Sequence, residues 1–398
     1  MIKLSQRVLD LTESATLKMA QAARELSQNG MNVINLSLGE PDFDTPEFIK
    51  ESAITALLNG ATKYTPVAGL IELRQAISNK FQTENSLQYT PEQIVVSNGA
   101  KQAFANLCSA TLDYGDEVIL LAPYWVSYYE IIKLNGGIPV VIDSTVANNF
   151  VPSIESITLS ITHKTKLIVY SSPCNPTGTV FNHEFFEKLV KALQNYPQVV
   201  VVSDEIYEQI IFDEKHISIG SYPGMIDRTV TINGFSKAFS MTGWRLGYMG
   251  APKYLADACI KIQGQYTSGA GSFVQKAGIT AIQNTSACVE MRDIFRKRRD
   301  TLLAAIHKTL PHWKCSSPEG AFYVLPDVSA DFGKKTPKDE LVKDADDLTY
   351  YLLNEAHVAM VSGSAFGAQN CIRISYSISE EQINLAVSRI AKALSRLD

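Results

Sequence analysis

Between Glu92 and Pro252 the chain alternates short β-branched runs with helix-like segments, and this pattern restricts the fold more than any other feature. The runs are Ile94 to Val96, Val118 to Leu121, Ile138 to Ile142, Leu167 to Tyr170, Val199 to Val202 and Thr229 to Ile232. They lack polar alternation, as expected of strands buried on both faces. Lys101 to Leu112 and His183 to Gln194 read as helices between them. Such alternation predicts an α/β fold with a mostly parallel sheet under helices, whose ligands bind beyond the carboxyl ends of the strands.

The C-terminal portion is organised differently. Gly320 to Leu325 and Cys371 to Ser375 read as strands, and Leu348 to Ala356 as a helix. Ser379 and Gln382 have capping-box spacing, and Ile383, Val387, Ile390, Leu394 and Leu397 follow as an apolar helical stripe. These elements predict a smaller α+β domain closing over the large one. With 398 residues and 45% hydrophobic content, the chain has length for two or three units at roughly 150 residues each. The expected division is a large domain over 46–285 and a small one from 1–45 with 286–398.

Charge and cysteine usage remove several classes of function. The net charge is −5, without the Lys/Arg clustering a nucleic-acid partner requires. Six scattered cysteines, with no CxxC, predict neither a metal site nor a disulfide framework. The first residues, MIKLSQRVLDLTES, lack the apolar core of a secretory signal, and no run is long enough to cross a membrane. A cytoplasmic protein is expected.

Four segments carry candidate chemistry. In Asn233-Gly234-Phe235-Ser236-Lys237, a lysine follows a strand end, and Arg245 comes eight residues later. A desolvated lysine near other cations loses its proton readily and attacks carbonyls. Ser236 and Arg245 offer a hydroxyl and a planar fork to a phosphate. Asp204 ends the run Val199 to Val202-Ser203, where a carboxylate needs a cationic partner such as a protonated pyridine nitrogen, or else serves as a helix N-cap. Tyr207 lies three residues on, placed to donate to a ring oxygen. Ser172-Pro173-Cys174-Asn175-Pro176 forms a stiff loop displaying Asn175, with Asn175-Pro176 a candidate cis bond. Gly99-Ala100-Lys101 turns a strand into a helix, whose first N–H groups suit an anion. Trp125 has the shape to stack on a flat ring, and Arg373, within an apolar strand, suits either a substrate carboxylate or a structural ion pair.

In their order and combination these segments resemble the class I, fold-type I aminotransferases, from Leu36-Ser37-Leu38-Gly39-Glu40-Pro41 to Arg373. The likeness is greatest to the bacterial aspartate and aspartate/prephenate subgroup. It implies a seven-stranded-type sheet and pyridoxal 5′-phosphate held on Lys237 as a Schiff base. By the same resemblance, Asp204 pairs with the pyridine nitrogen, Tyr207 and Asn175 address the ring oxygen, and Trp125 stacks on the ring. Ser236, Arg245, Gly99, Ala100 and Lys101 would hold the phosphate, with Tyr64 reaching that of the partner in a homodimer with shared sites. Arg373 would clamp the substrate α-carboxylate and Gly39 close over it. Lys101, with Ser14 and Thr16, would meet a distal carboxylate.

The implied reaction is transamination between an amino acid, aspartate first, and a 2-oxo acid such as 2-oxoglutarate or oxaloacetate. Prephenate or aromatic amino-acid transamination is the alternative, and a β-lyase or an aminocyclopropane-carboxylate synthase on the same fold are further rivals. A non-catalytic regulator on this fold would lack Lys237 and carry an additional N-terminal DNA-binding domain, for which Met1 to Asn35 leaves no room.

Overall fold

The computed structural model describes residues 2–398. Its centre is a seven-stranded sheet in the order Ile94–Ser97, Gly247–Gly250, Thr229–Gly234, Val200–Asp204, Thr165–Ser171, Glu117–Leu121, Ile138–Ile142. From Thr229–Gly234 to Ile138–Ile142 every pairing is parallel, whereas Gly247–Gly250 runs antiparallel to both its neighbours.

The apolar runs lack alternation because both faces are covered. Val118 and Leu120 pack with Leu107 and Tyr128 on one side, while Ile119 and Leu121 pack with Phe186 and Leu189 on the other. Successive side chains of a strand point to opposite faces, so each face needs its own apolar set. The helices Ala100–Thr111 and Lys253–Tyr266 cover the first face, and His183–Leu193 the second. Asn182 caps the last of these by accepting from Phe185 N at 3.0 Å.

All six expected strands form. The seventh, Gly247–Gly250, has no β-branched residue and left no signal in the sequence. Its glycines answer a steric demand. A Cβ on Gly247 would lie 2.3 Å from Ala100 N, and one on Gly250 would lie 2.4 Å from the Tyr89 ring. The sheet at this edge is therefore built from residues chosen for close approach.

The C-terminal part carries a three-stranded antiparallel sheet, Val361–Ser362, Ile372–Ser375, Tyr323–Val324. The helices Cys288–Thr309, Ala345–Ala356 and Glu380–Leu394 share its apolar core, which includes Phe295, Leu352 and Ile390. Ile34–Asn35 joins this part by pairing in parallel with Val358–Ala359. We propose that the domain boundaries lie near 45 and 285, since the N-terminal strand packs with the C-terminal elements.

Three local expectations change. The helix Glu380–Leu394 ends before Leu397, which sits half-buried beyond it. Ser379 Oγ accepts from Gln382 N at 3.3 Å, one half of the expected reciprocal pair. The cis bonds are Ala122-Pro123 and Ser172-Pro173, not Asn175-Pro176. Ser172 N bonds to Asp204 O on the neighbouring strand, so the chain must leave the sheet at Pro173, before Asn175 is reached.

Gly250→Ala is expected to destabilise the fold by about 1–3 kcal/mol through overpacking, because Tyr89 is held by a 3.0 Å bond to Thr229 O. Gly264→Ala, in a helix with only Val67 methyl groups near 3.8 Å, should instead gain about 0.5–1 kcal/mol. Scanning calorimetry of both variants checks the contrast. Equal melting temperatures would refute the steric account.

Candidate active site

Five parallel-directed strands end at one edge of the sheet, and each delivers a polar group there. Ile94–Ser97 leads into Gly99-Ala100-Lys101, Glu117–Leu121 into Trp125, and Thr165–Ser171 into Asn175. Val200–Asp204 ends on Asp204, and Thr229–Gly234 leads into Ser236 and Lys237. Arg245 reaches the same edge because the antiparallel Gly247–Gly250 strand starts there. They surround a cavity of about 310 Å³, whose wall also contains Ser14, Thr16, Gly39, Tyr207 and Arg373. Of the sequence-selected residues only Gly99 and Tyr64 do not line it.

Lys237 Nζ donates to Gly39 O at 2.6 Å. Burial lowers its pKa to about 8 against the pull of Glu40, and Arg373 and Arg245 add to the lowering. This amine is therefore far closer to neutrality than a surface lysine.

Asp204 is buried, accepting from the Tyr128 hydroxyl and from Ile206 N at 3.2 Å. No helix follows it, so the N-cap alternative reduces to this one turn bond. Burial raises its pKa to about 6 despite those donors, with Glu205 contributing to the rise. No Lys, Arg or His among the described residues forms an ion pair with it within 4.0 Å.

Arg373 presents the converse case. Its guanidinium is only 2% exposed, yet no acidic group among the described residues pairs with it. Nη1 donates to Asn175 Oδ1 at 3.0 Å and Nη2 to Ser37 O, while Nε has no partner. The rings of Tyr323 and Phe366 lie 4.7 and 4.9 Å from the guanidinium carbon. The structural ion pair left open by the sequence is absent, and a buried guanidinium of this kind is suited to a carboxylate ligand.

A third region is built for an anion. Gly99 has φ +84°, and a Cβ there would lie 2.4 Å from Arg245 Nη2. Arg245 is anchored through Nη1 to Thr242 O at 2.9 Å. Ala100 and Lys101 begin the helix Ala100–Thr111, so their N–H groups have no intrahelical acceptor. Ser236 lines the same cavity. Lys101 Nζ lies 4.9 Å over the Trp125 ring, and its pKa is lowered by desolvation and by Arg245.

Tyr207 Oη is 2.9 Å from Tyr323 Oη, so its hydroxyl already has a neighbour within the chain. Tyr64 is 98% exposed and lies outside this chain's own cavity. Sequence reasoning missed Tyr128 and Tyr323. Both touch selected residues across large sequence separations, for which spacing provides no signal.

Residues 31–390 match the family described as aminotransferase class I and II. A bifunctional aspartate aminotransferase and glutamate/aspartate-prephenate aminotransferase of Petunia hybrida is 45% identical over 99% of this chain and 83% of its own. A probable aspartate/prephenate aminotransferase of Rickettsia typhi is 42% identical over 99% of both chains. Among solved structures, the aspartate aminotransferase of Thermus thermophilus with maleate superposes with a TM-score of 0.92 at 42% identity, covering 99% of this chain and 100% of that one.

Titration of Asp204 should be visible in stability once the cavity is cleared of small molecules. The folded carboxyl takes its proton near pH 6, and the unfolded one near its ordinary 3.8. The folded state therefore binds more protons in this window. The destabilisation from Asp204 is absent below about pH 4 and complete above about pH 6, reaching roughly 3 kcal/mol. Asp204→Asn should raise the melting temperature at pH 8 and leave it unchanged at pH 4. A difference independent of pH would contradict the burial account.

Proposed function

Because the chain belongs to the class I and II aminotransferases, we propose that it moves the amino group of aspartate to a 2-oxo acid such as 2-oxoglutarate or oxaloacetate, with pyridoxal 5′-phosphate carried on Lys237. The observation that carries this reading is the convergence of Lys237, Asp204 and Arg245 on one cavity. The cavity fits the group at three places. Arg245, Ser236 and the Ala100 and Lys101 N–H groups would seat the phosphate, and the missing side chain of Gly99 leaves room for the Arg245 guanidinium. The buried Asp204 carboxylate lacks a cation, which a protonated pyridine nitrogen supplies. Lys237 is desolvated enough to attack an aldehyde carbon.

When bound, the cofactor supplies an electron-poor ring that withdraws the electrons left on the substrate α-carbon. The remaining work falls to the protein. Asp204 would keep the ring nitrogen protonated, and Tyr128 and Ile206 N hold that carboxylate in place. Trp125 would cover a face of the ring, while Asn175 and Tyr207 would address its oxygen. Arg373 takes the α-carboxylate and so orients the α-hydrogen. Lys237 Nζ, brought toward neutrality by burial, would take and hold that proton. Gly39 closes the substrate end, where its carbonyl is already within 2.6 Å of Nζ.

Lys101, Ser14 and Thr16 stand together on the cavity wall and support a second substrate carboxylate. That favours aspartate, and the dicarboxylate maleate in the Thermus thermophilus structure agrees with such a seat. Prephenate is the second reading, favoured by the names of the relatives from Petunia hybrida and Rickettsia typhi. We further propose a cytoplasmic homodimer in which Tyr64, exposed on its own chain, completes the phosphate seat of the partner.

Borohydride reduction should fix the cofactor on Lys237, and Lys237→Ala should abolish turnover. Peptide mapping that finds the label on another lysine would overturn the assignment. Lys101→Ala should reduce kcat/KM for aspartate about 10- to 100-fold, the size expected for a lost charge-assisted bond, and affect alanine and phenylalanine much less. Equal losses for all three donors would reject the distal role. Kinetics with prephenate on the same preparation decide between the two readings.

A further inference from the structure

Directly behind Asp204 lies a second polar cluster that the proposed reaction does not use. The segment Ser203–Glu208 leaves the strand so that Asp204 and Tyr207 line the cavity, while Ser203, Glu205 and Glu208 turn away from it. Glu205 is wholly buried, accepting from Ser203 Oγ at 2.8 Å, Ser218 Oγ at 2.6 Å and His216 Nε2 at 2.8 Å. Glu208 accepts from Lys80 Nζ and from Asn85 Nδ2 at 2.7 Å. Glu205 and Glu208 come from the turn after a strand, Lys80 from the helix Ile71–Asn85, and His216 from a later loop.

The charges of this cluster balance. Burial opposes a charge on His216, but Glu205 and Glu208 overcome it and hold the imidazole pKa above its ordinary value. With His216 protonated, two carboxylates face two cations. Glu84 is the other charged neighbour, 3.9 Å from Lys80 and about a third exposed, where solvent screens it. Tyr89, Tyr170 and Tyr248 border the cluster as neutral phenols and Cys288 as a neutral thiol. The cluster is therefore neutral only while both Lys80 and His216 carry their protons.

We propose that Glu205, His216, Lys80 and Glu208 are positioning residues that anchor the Asp204–Tyr207 turn from behind and keep the charge behind Asp204 at zero. This inference rests on Asp204 pairing with the bound cofactor. Loss of the balance alters the field at the cofactor without any change in the groups that touch it. One uncompensated negative charge favours the protonated form of the chromophore, and one uncompensated positive charge disfavours it.

The test is a pH titration of the visible absorbance of the pyridoxal-phosphate-loaded protein. His216→Gln keeps a donor toward Glu205 but leaves the cluster at −1, so the midpoint should rise by roughly half a pH unit. Glu208→Gln keeps an acceptor oxygen for Lys80 Nζ, gives up the bond from Asn85 Nδ2 and leaves +1, so the midpoint should fall. The double variant is neutral again, and its midpoint should return close to that of the unaltered protein. Either single variant alone tests the sign if the other fails to fold. Midpoints that do not move, that move in one direction for both substitutions, or that fail to return in the double variant would overturn the proposal, even if melting temperatures drop. A cluster with only a structural role predicts that last pattern. Absence of any visible chromophore on Lys237 in the unaltered protein would instead overturn the proposed function.

Discussion

Two opposite charges are buried on the walls of one cavity, and neither has an ion-pair partner among the described residues. Asp204 is paired with hydroxyl and amide donors but no cation, while Arg373 is paired with an amide and a carbonyl but no carboxylate. Each such group is destabilising in isolation, because burial removes the water that would otherwise solvate it. A ligand with a cationic ring at one end and a carboxylate at the other relieves both. The arrangement of the remaining residues follows from holding these charges apart and ready.

The sheet performs that task through direction more than through any single contact. Parallel strands send all their carboxyl ends to one edge, so five separate loops meet there without long excursions. The antiparallel strand reverses the sense once and brings Arg245 in from the other side, against Gly99. The carboxyl-terminal part contributes Arg373 from its own three-stranded sheet, so this guanidinium rests on a different core from Asp204 and Lys237.

Support for these groups comes from behind. Tyr128 reaches Asp204 from the helix after Trp125, and Tyr323 bridges Tyr207 and Arg373. The Glu205–His216 and Lys80–Glu208 pairs fix the reverse side of the same turn. The turn that carries Asp204 and Tyr207 thus rests on charged pairs outside the cavity. Such supporting groups set how closely the contacting ones keep their geometry.

What the amino-acid sequence determined by itself was local. Six strands were legible because burial on both faces demands unbroken β-branched runs; Asp204 and Lys237 stood out at strand ends, Asn175 in a stiff proline loop, and Arg373 as a charge inside an apolar strand. The seventh strand was not legible, because Gly247 and Gly250 answer to Ala100 and Tyr89, which lie far away in the chain. The same holds for Tyr128, Tyr323 and the cluster behind Asp204, whose partners lie 76 to 128 residues apart in the cases of Tyr128–Asp204, Tyr207–Tyr323 and Lys80–Glu208. Only the tertiary structure decided that, among the described residues, no acidic group pairs with Arg373 and no cation forms an ion pair with Asp204. Sequence periodicity reports which side of an element is buried, but charge compensation depends on what the fold brings to that side.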